Sequence, residues 1–217
     1  MARHIAAIGG QANLNAIQSL QVVSILDDHG TLHPMFGDRR RPNLLRVRMM
    51  HGGELVFTEA YDGAGSWEGA PGKENCTPDS AATAATRHAA EQFDDPLITA
   101  ARRDSLRFAG ITVVGGRRAY ALEMRDRAGT ITTFFVDSAT YMLSRVRNRR
   151  PLHPTEPVKT IDLVLEDYRP VAKVLMPFRS MERDADTGEP LTTSLALWIE
   201  ANVPVSGDVF AKPPSCR

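Results

Sequence analysis

Between residues 118 and 202 the chain reads as a run of strands joined by short turns, and this run limits the fold more than any other feature. Tyr120, Leu122 and Met124 fall on one face of residues 119–125, with Glu123 and Arg125 on the other. That two-residue period is what a half-buried strand requires. Asp126-Arg-Ala-Gly129 supplies a turn, residues 131–137 return, Asp137-Ser-Ala-Thr140 turns again, and residues 141–148 go back out. Ile161, Leu163 and Leu165 then alternate with Asp162 and Glu166. In the last strand Leu191, Leu195, Leu197 and Ile199 stand against Thr192, Ser194 and Glu200. Connections this short join antiparallel neighbours, because a parallel pair needs a long crossover.

The earlier half repeats the pattern around a helical insert. Ile5, Ile8, Ala12, Ile17 and Leu20 share one helical face that Gly9-Gly10 interrupts, so two short pieces or one bent helix are expected. Residues 21–26 read as a first strand, 27–42 as a polar connection, and 43–50 as a strand with Leu45, Val47 and Met49 alternating. His51-Gly-Gly53 is a hairpin turn into residues 54–61, and Ser66-Trp67-Glu68 begins another short strand. Thr77-Pro78-Asp79 then gives an N-cap with proline at the first helical position, ahead of an alanine-rich helix over 81–93. Asp95-Pro96 repeats that signal for a second helix over 97–103, and strand pattern resumes at 106–113. The proline-rich residues 149–157 read as an exposed loop. Strands, then helices, then strands with no linker predict one α+β domain over residues 1–217.

No catalytic motif stands out. His29 and His33 with Asp27 and Asp28 read as solvated loop residues sooner than as a metal site, and Ser66 lacks the following helix of a nucleophile elbow. Gly52-Gly53 and Gly115-Gly116 are turns, and Arg145, Arg147, Arg149 and Arg150 read as a solvated outer strand face. No metal ligands, cofactor site or catalytic residues are assigned. Lys plus Arg and Asp plus Glu number 26 each, so the net charge of +0 gives no global field to draw in nucleic acid. Cys76 and Cys216 fit no metal or redox spacing, and are read either as a disulfide in an oxidising compartment or as two free thiols. Residues 1–5 lack the apolar core of a secretory leader; the expectation is that a native leader was removed and Met1 added, the alternative being a cytoplasmic chain that starts here.

What remains is apolar. Phe57, Tyr61, Trp67, Tyr120, Leu122, Phe135, Phe178 and Trp198 are spread over the strands, and Ala85 and Ala89 belong to a helix of small residues. A curved sheet capped by such a helix leaves room inside, so these ten residues are the candidate lining of a cavity for an apolar ligand.

Several stretches, in order, carry a resemblance. They are Ala7-Ile-Gly-Gly10 with Leu14-Asn-Ala-Ile17, Tyr61-Asp-Gly63 followed by Trp67, and Phe135-Val-Asp-Ser-Ala-Thr140. Asp167-Tyr-Arg-Pro-Val171 leading to Met176-Pro-Phe178, Ala201-Asn-Val-Pro204 and Phe210-Ala-Lys-Pro213 complete the set. Together they resemble the LolA-like superfamily of periplasmic lipoprotein-sorting and lipid-carrier proteins. The resemblance implies an incomplete, highly curved antiparallel barrel, a half-barrel with helices lying over its concave face. It also implies an apolar cavity that takes an acyl chain or lipidated partner without cofactor or covalent chemistry, and a leader peptide directing the chain to the periplasm. Some proteins of similar fold are enzymes of small-molecule biosynthesis, so a LolA-fold enzyme or small-molecule binder is the alternative. An envelope interaction module using an exposed strand edge is the third.

Overall fold

The computed structural model describes residues 1–77, 80–103, 106–125, 129–152 and 156–216, with the backbone alone at 81, 82, 102, 103 and 215. Two short helices, α1 (Ala2–Ala7) and α2 (Gln11–Ala16), precede five strands: β1 (Ser19–Asp28), β2 (Thr31–Arg40), β3 (Leu44–His51), β4 (Glu54–Tyr61) and β5 (Ser66–Gly69). Helices α3 (Ala81–Glu91) and α4 (Pro96–Arg103) follow. Then come β6 (Arg107–Val114), β7 (Arg117–Arg125), β8 (Ile131–Asp137), β9 (Leu143–Arg150), β10 (Lys159–Val171), β11 (Val174–Asp184) and β12 (Pro190–Ala201). All twelve strands belong to one antiparallel sheet in the order β5-β4-β3-β2-β1-β12-β11-β10-β9-β8-β7-β6, which is not closed into a barrel. The α+β reading and the antiparallel sheet hold. The contacts gather into two compact units, residues 1–14 with 95–194, and residues 15–94 with 195–217.

In the first unit α4 lies on the sheet. Asp95 caps it, its Oδ1 accepting from the amides of Leu97 at 2.8 Å and Ile98 at 3.4 Å, with Pro96 as the first helical residue. Leu97 and Ala100 pack against Phe134, Val136, Leu143, Val146 and Leu165, with Tyr120, Leu122 and Met124 at the margin. The opposite face of these strands carries ion pairs. Asp162, 1% exposed, accepts from Arg145 at 2.9 Å and from Arg147 at 2.7 and 2.8 Å. Arg145, Arg147 and Arg149 therefore do lie on the face away from the helix, the first two tied to a buried carboxylate, whereas Arg150 lies on the other face and pairs with Glu182. The turn at Asp137 also forms as expected: its Oδ1 accepts from the amides of Ala139 and Thr140.

The glycine pair does split the N-terminal helix. Gly9 has φ +124°, and a Cβ there would sit 2.2 Å from the carbonyl oxygen of Lys173. Only glycine allows the chain so close to the β10–β11 turn, where the Leu175 amide donates to the Ile8 carbonyl at 2.8 Å. His4 anchors the same region. It is buried, its Nδ1 lies 2.8 Å from the carbonyl oxygen of Tyr141, and its Nε2 lies 3.3 Å from Asp95 Oδ1.

In the second unit α3 covers β3, β4 and β5. Its N-cap is Ser80, whose Oγ accepts from the Thr83 amide at 3.2 Å. The capping role assigned to Thr77-Pro78-Asp79 falls partly on Pro78 and Asp79, which lie outside the described residues. So do the turn residues Asp126, Arg127 and Ala128, and His153, Pro154 and Thr155 of the proline-rich loop.

Two strands depart from the sequence reading. Residues 31–40, taken as a polar connection, form β2, paired along its length with β1. Its polar residues are matched by other strands: Asp38 is buried, accepting from Arg46 at 2.9 Å and from Gln21 at 3.0 Å. His33 consequently stands on a strand, its ring 5.2 Å from that of His51, and only His29 is in the turn. Residues 174–184, assigned no strand, form β11, whose Arg179 pairs with Glu166 of β10 and whose Glu182 pairs with Arg150 of β9. In both cases hydrophobic alternation is replaced by cross-strand charge matching, which a period-two search does not detect.

Candidate ligand-binding site

Counting from Ser80, the residues of α3 that meet the sheet are Thr83, Thr86 and Ala90, spaced three and four apart. All three are buried and all are small. Beneath them Ala90 packs with Leu45 and Tyr61, and Ala89 and Val47 lie at the edge of that cluster. The helix is held as much by polar contacts as by apolar ones. Ser66 Oγ donates to the Thr83 carbonyl, and Thr86 Oγ1 donates to Glu59 Oε2 at 3.2 Å. Arg39 Nη1 donates to the carbonyl of Gln92, just beyond the helix, at 2.7 Å.

Glu59, Arg39 and Glu68 put ionisable groups into this space. Burial pushes the Glu59 carboxyl above the usual carboxylate range, against the opposing pull of Thr86 and Arg39. Burial raises Glu68 in the same way, and lowers the Arg39 guanidinium from its ordinary value. The floor under α3 is thus apolar around Leu45, Val47 and Tyr61, with a polar cluster beside it.

The opposite face of β3–β5 holds a different feature. A cleft of about 270 Å³ is lined by Arg46, Arg48, Thr58 and Trp67 and closed by Asp208, Val209 and Pro213 of the C-terminal segment. That segment is fixed by a Cys76–Cys216 disulfide, Cα–Cα 5.6 Å, which resolves the question the sequence left open. Phe210 is buried, with the Arg40 guanidinium 5.9 Å from its ring centroid.

The ten candidate lining residues fall in several places. Tyr61 and Ala89 meet under α3, and strand alternation sets Phe57 on the same side as Tyr61. Ala85 is on the exposed face of α3, so it does not look inward. Trp67 is buried on the side away from α3, its Nε1 without a hydrogen-bond partner among the described residues. In the other unit Tyr120 and Leu122 pack with the core under α4, whereas Phe135 points to the opposite face, 5.7 Å beneath the Arg147 guanidinium. Phe178 is buried under Arg169 at 4.7 Å, and Trp198 is 41% exposed on β12. Sequence reasoning missed Thr83, Thr86, Glu59 and Arg39. The two threonines were recoverable, because they recur at the helical period from the true cap; the charged pair offered no such signal.

Among the described residues no group of three or more His, Cys, Asp or Glu side chains could hold a metal ion. No helix among them is long and apolar enough to cross a membrane.

No protein-family model matches the chain, and no curated protein matches it in sequence. Solved structures do match its backbone. A DUF1329 family protein from Desulfovibrio piger is 11% identical, with TM-score 0.63 over 96% of this chain and 94% of that one. An outer membrane lipoprotein-sorting protein domain, so assigned, from Vibrio parahaemolyticus is 13% identical, with TM-score 0.61 over 99% and 95%. A LolA superfamily protein from Nitrosomonas europaea is 10% identical, with TM-score 0.60 over 90% of each chain. At such identities the likeness establishes the fold, and the fold is LolA-like.

Proposed function

We propose that the protein is a periplasmic carrier that holds an acyl chain, or the lipid moiety of a lipidated partner, between α3 and the strands beneath it. The observation that carries this reading is the sheet-facing stripe of α3, Thr83, Thr86 and Ala90, over Leu45, Val47 and Tyr61. A helix meant as permanent core would set large side chains there. This one buries little apolar surface and is held by a few hydrogen bonds, each worth about 1 kcal/mol net. Displacing it is therefore cheap. An acyl chain gains about 0.8 kcal/mol per buried methylene, so ten methylenes outweigh the loss of those contacts. The reading needs no covalent chemistry and no cofactor.

A second reading has its own observation. Glu59, Arg39 and Glu68 converge under α3 with shifted ionisation, an arrangement common where a polar ligand is gripped or a proton is moved. A specific small-molecule binder or an enzyme would use that cluster instead of the apolar floor.

Titration with a long-chain fatty acid or an apolar fluorophore separates the two. Under the carrier reading the ligand binds at micromolar Kd or tighter, about −8 kcal/mol. Ala89→Phe, at the edge of the cluster, weakens binding about tenfold while the folded state keeps most of its stability. Glu59→Gln leaves fatty-acid binding nearly unchanged. Loss of binding in Glu59→Gln with none in Ala89→Phe favours the polar-ligand reading.

A further inference from the structure

We propose that the β6–β7 hairpin is a docking element for an anionic lipid surface. β6 is the last strand of the sheet, so one of its edges has no strand neighbour among the described residues. It leaves Phe108 58%, Ile111 53% and Val113 66% exposed. The three belong to one face: they stand opposite Leu122, Tyr120 and Arg118 of β7. Under Tyr120 and Leu122 that face is covered by the core of α4, but the outer strand extends past this cover. Phe108 to Val113 is an apolar strip of about 17 Å at 3.4 Å per residue.

Charge selects the occupant. The whole chain has a net charge of +0, yet residues 107–125 hold four arginines and one glutamate. Arg107 pairs with Glu123, and Arg117 pairs with Asp137 at 2.7 Å. Arg118, opposite Val113 on the face of the strip, is exposed and has no carboxylate partner among the described residues. Arg125 is exposed too, but lies on the other face and donates to the Gly129 carbonyl at 2.8 Å. An apolar strip with the Arg118 guanidinium at its margin, on a hairpin with an excess of arginine, matches the boundary between acyl chains and anionic headgroups. A neutral bilayer would use the apolar strip alone, and a soluble acidic protein the arginines alone.

Strand addition, whether by a second copy or by an extended peptide, fits less well. Gly110 has φ +138°, and the register slips between Phe108 and Gly110, so the free edge offers an interrupted ladder. Two copies paired edge to edge would also bring their arginines together. The proposal stands apart from the reading of α3: a hairpin in one unit can meet a membrane whatever the other unit binds.

Co-sedimentation of the full chain with vesicles tests it, using phosphatidylcholine alone or phosphatidylcholine with phosphatidylglycerol. The parent should pellet with the anionic vesicles and stay in solution with the neutral ones, and high salt should release it. Ile111→Ser with Val113→Ser, both at exposed positions, should keep the parent's circular dichroism and lower partitioning at least about tenfold. Arg118→Ser should lower it about fivefold. Failure of the parent to pellet, or equal pelleting by parent and variants, overturns the proposal. So does a parent dimer in analytical ultracentrifugation that the serine pair converts to monomer, because the strip would then belong to a second copy.

Discussion

His4 shows how one buried side chain can join distant pieces of chain. Its ring sits between the Tyr141 carbonyl and Asp95, the cap of α4, so α1, α4 and the β8–β9 turn share one imidazole. Burial works against its charge, but Asp95 and the Tyr141 carbonyl outweigh burial and raise its pKa above the ordinary 6.5. A group whose folded pKa is raised contributes stability below its unfolded value, and that contribution is lost as pH rises through the folded one. The protein should therefore lose stability on going from about pH 6 to pH 8, and His4→Gln should flatten that profile in chemical denaturation. Below pH 6 the same variant should cost about 3 kcal/mol, because it leaves Asp95 without its buried partner. None of this was legible in the sequence, where His4 was one histidine of six. A buried imidazole becomes visible only once its acceptors are in place.

At the scale of elements, legibility followed the source of order. Strands β4 and β8 matched their sequence boundaries, because apolar alternation fixes which face is buried. β2 and β11 were missed because part of their order comes from ion pairs with other strands, Asp38 with Arg46 and Glu182 with Arg150. The existence of α3 was legible from its alanines, but its inward face was not. A helix of small residues has no apolar stripe to set its rotation, and the contacts that set it are hydrogen bonds to Ser66, Glu59 and Arg39. Glu59 makes this docking dependent on pH. Its raised pKa means that the protonated form favours the folded state, so stability is lost as pH rises from the unfolded value of 4.5 through the folded one. The protection factors of the α3 amides, exchange rates taken relative to the intrinsic rate at each pH, should accordingly be higher at pH 5 than at pH 7, and Glu59→Gln should remove most of that difference. The chain that leads into α3 is tied down by Cys76–Cys216, which closes 140 residues of sequence. Replacing both cysteines by serine should lower stability by about 2–5 kcal/mol in urea denaturation.

For the whole molecule, a single antiparallel sheet was legible because a long series of short connections admits few other arrangements, although two of its twelve strands were not. The candidate lining residues divide between the two faces of the sheet. Tyr61, Ala89, Tyr120 and Leu122 lie on helix-covered faces, whereas Trp67 and Phe135 lie on the opposite faces. Alternation marks a residue as belonging to one side of a strand without saying which side the helices will take. Leu195 and Leu197, on one face of β12, stay exposed as well, so apolar surface on this sheet exceeds what its helices cover. The carrier reading turns on whether the space under α3 accepts an acyl chain, and native mass spectrometry of the purified protein, followed by organic extraction, asks that directly. The account predicts a bound mass of lipid size that dissociates on activation, and a single added fatty acid bound by protein stripped of it. A bare polypeptide mass that remains bare with fatty acid in excess would contradict the account.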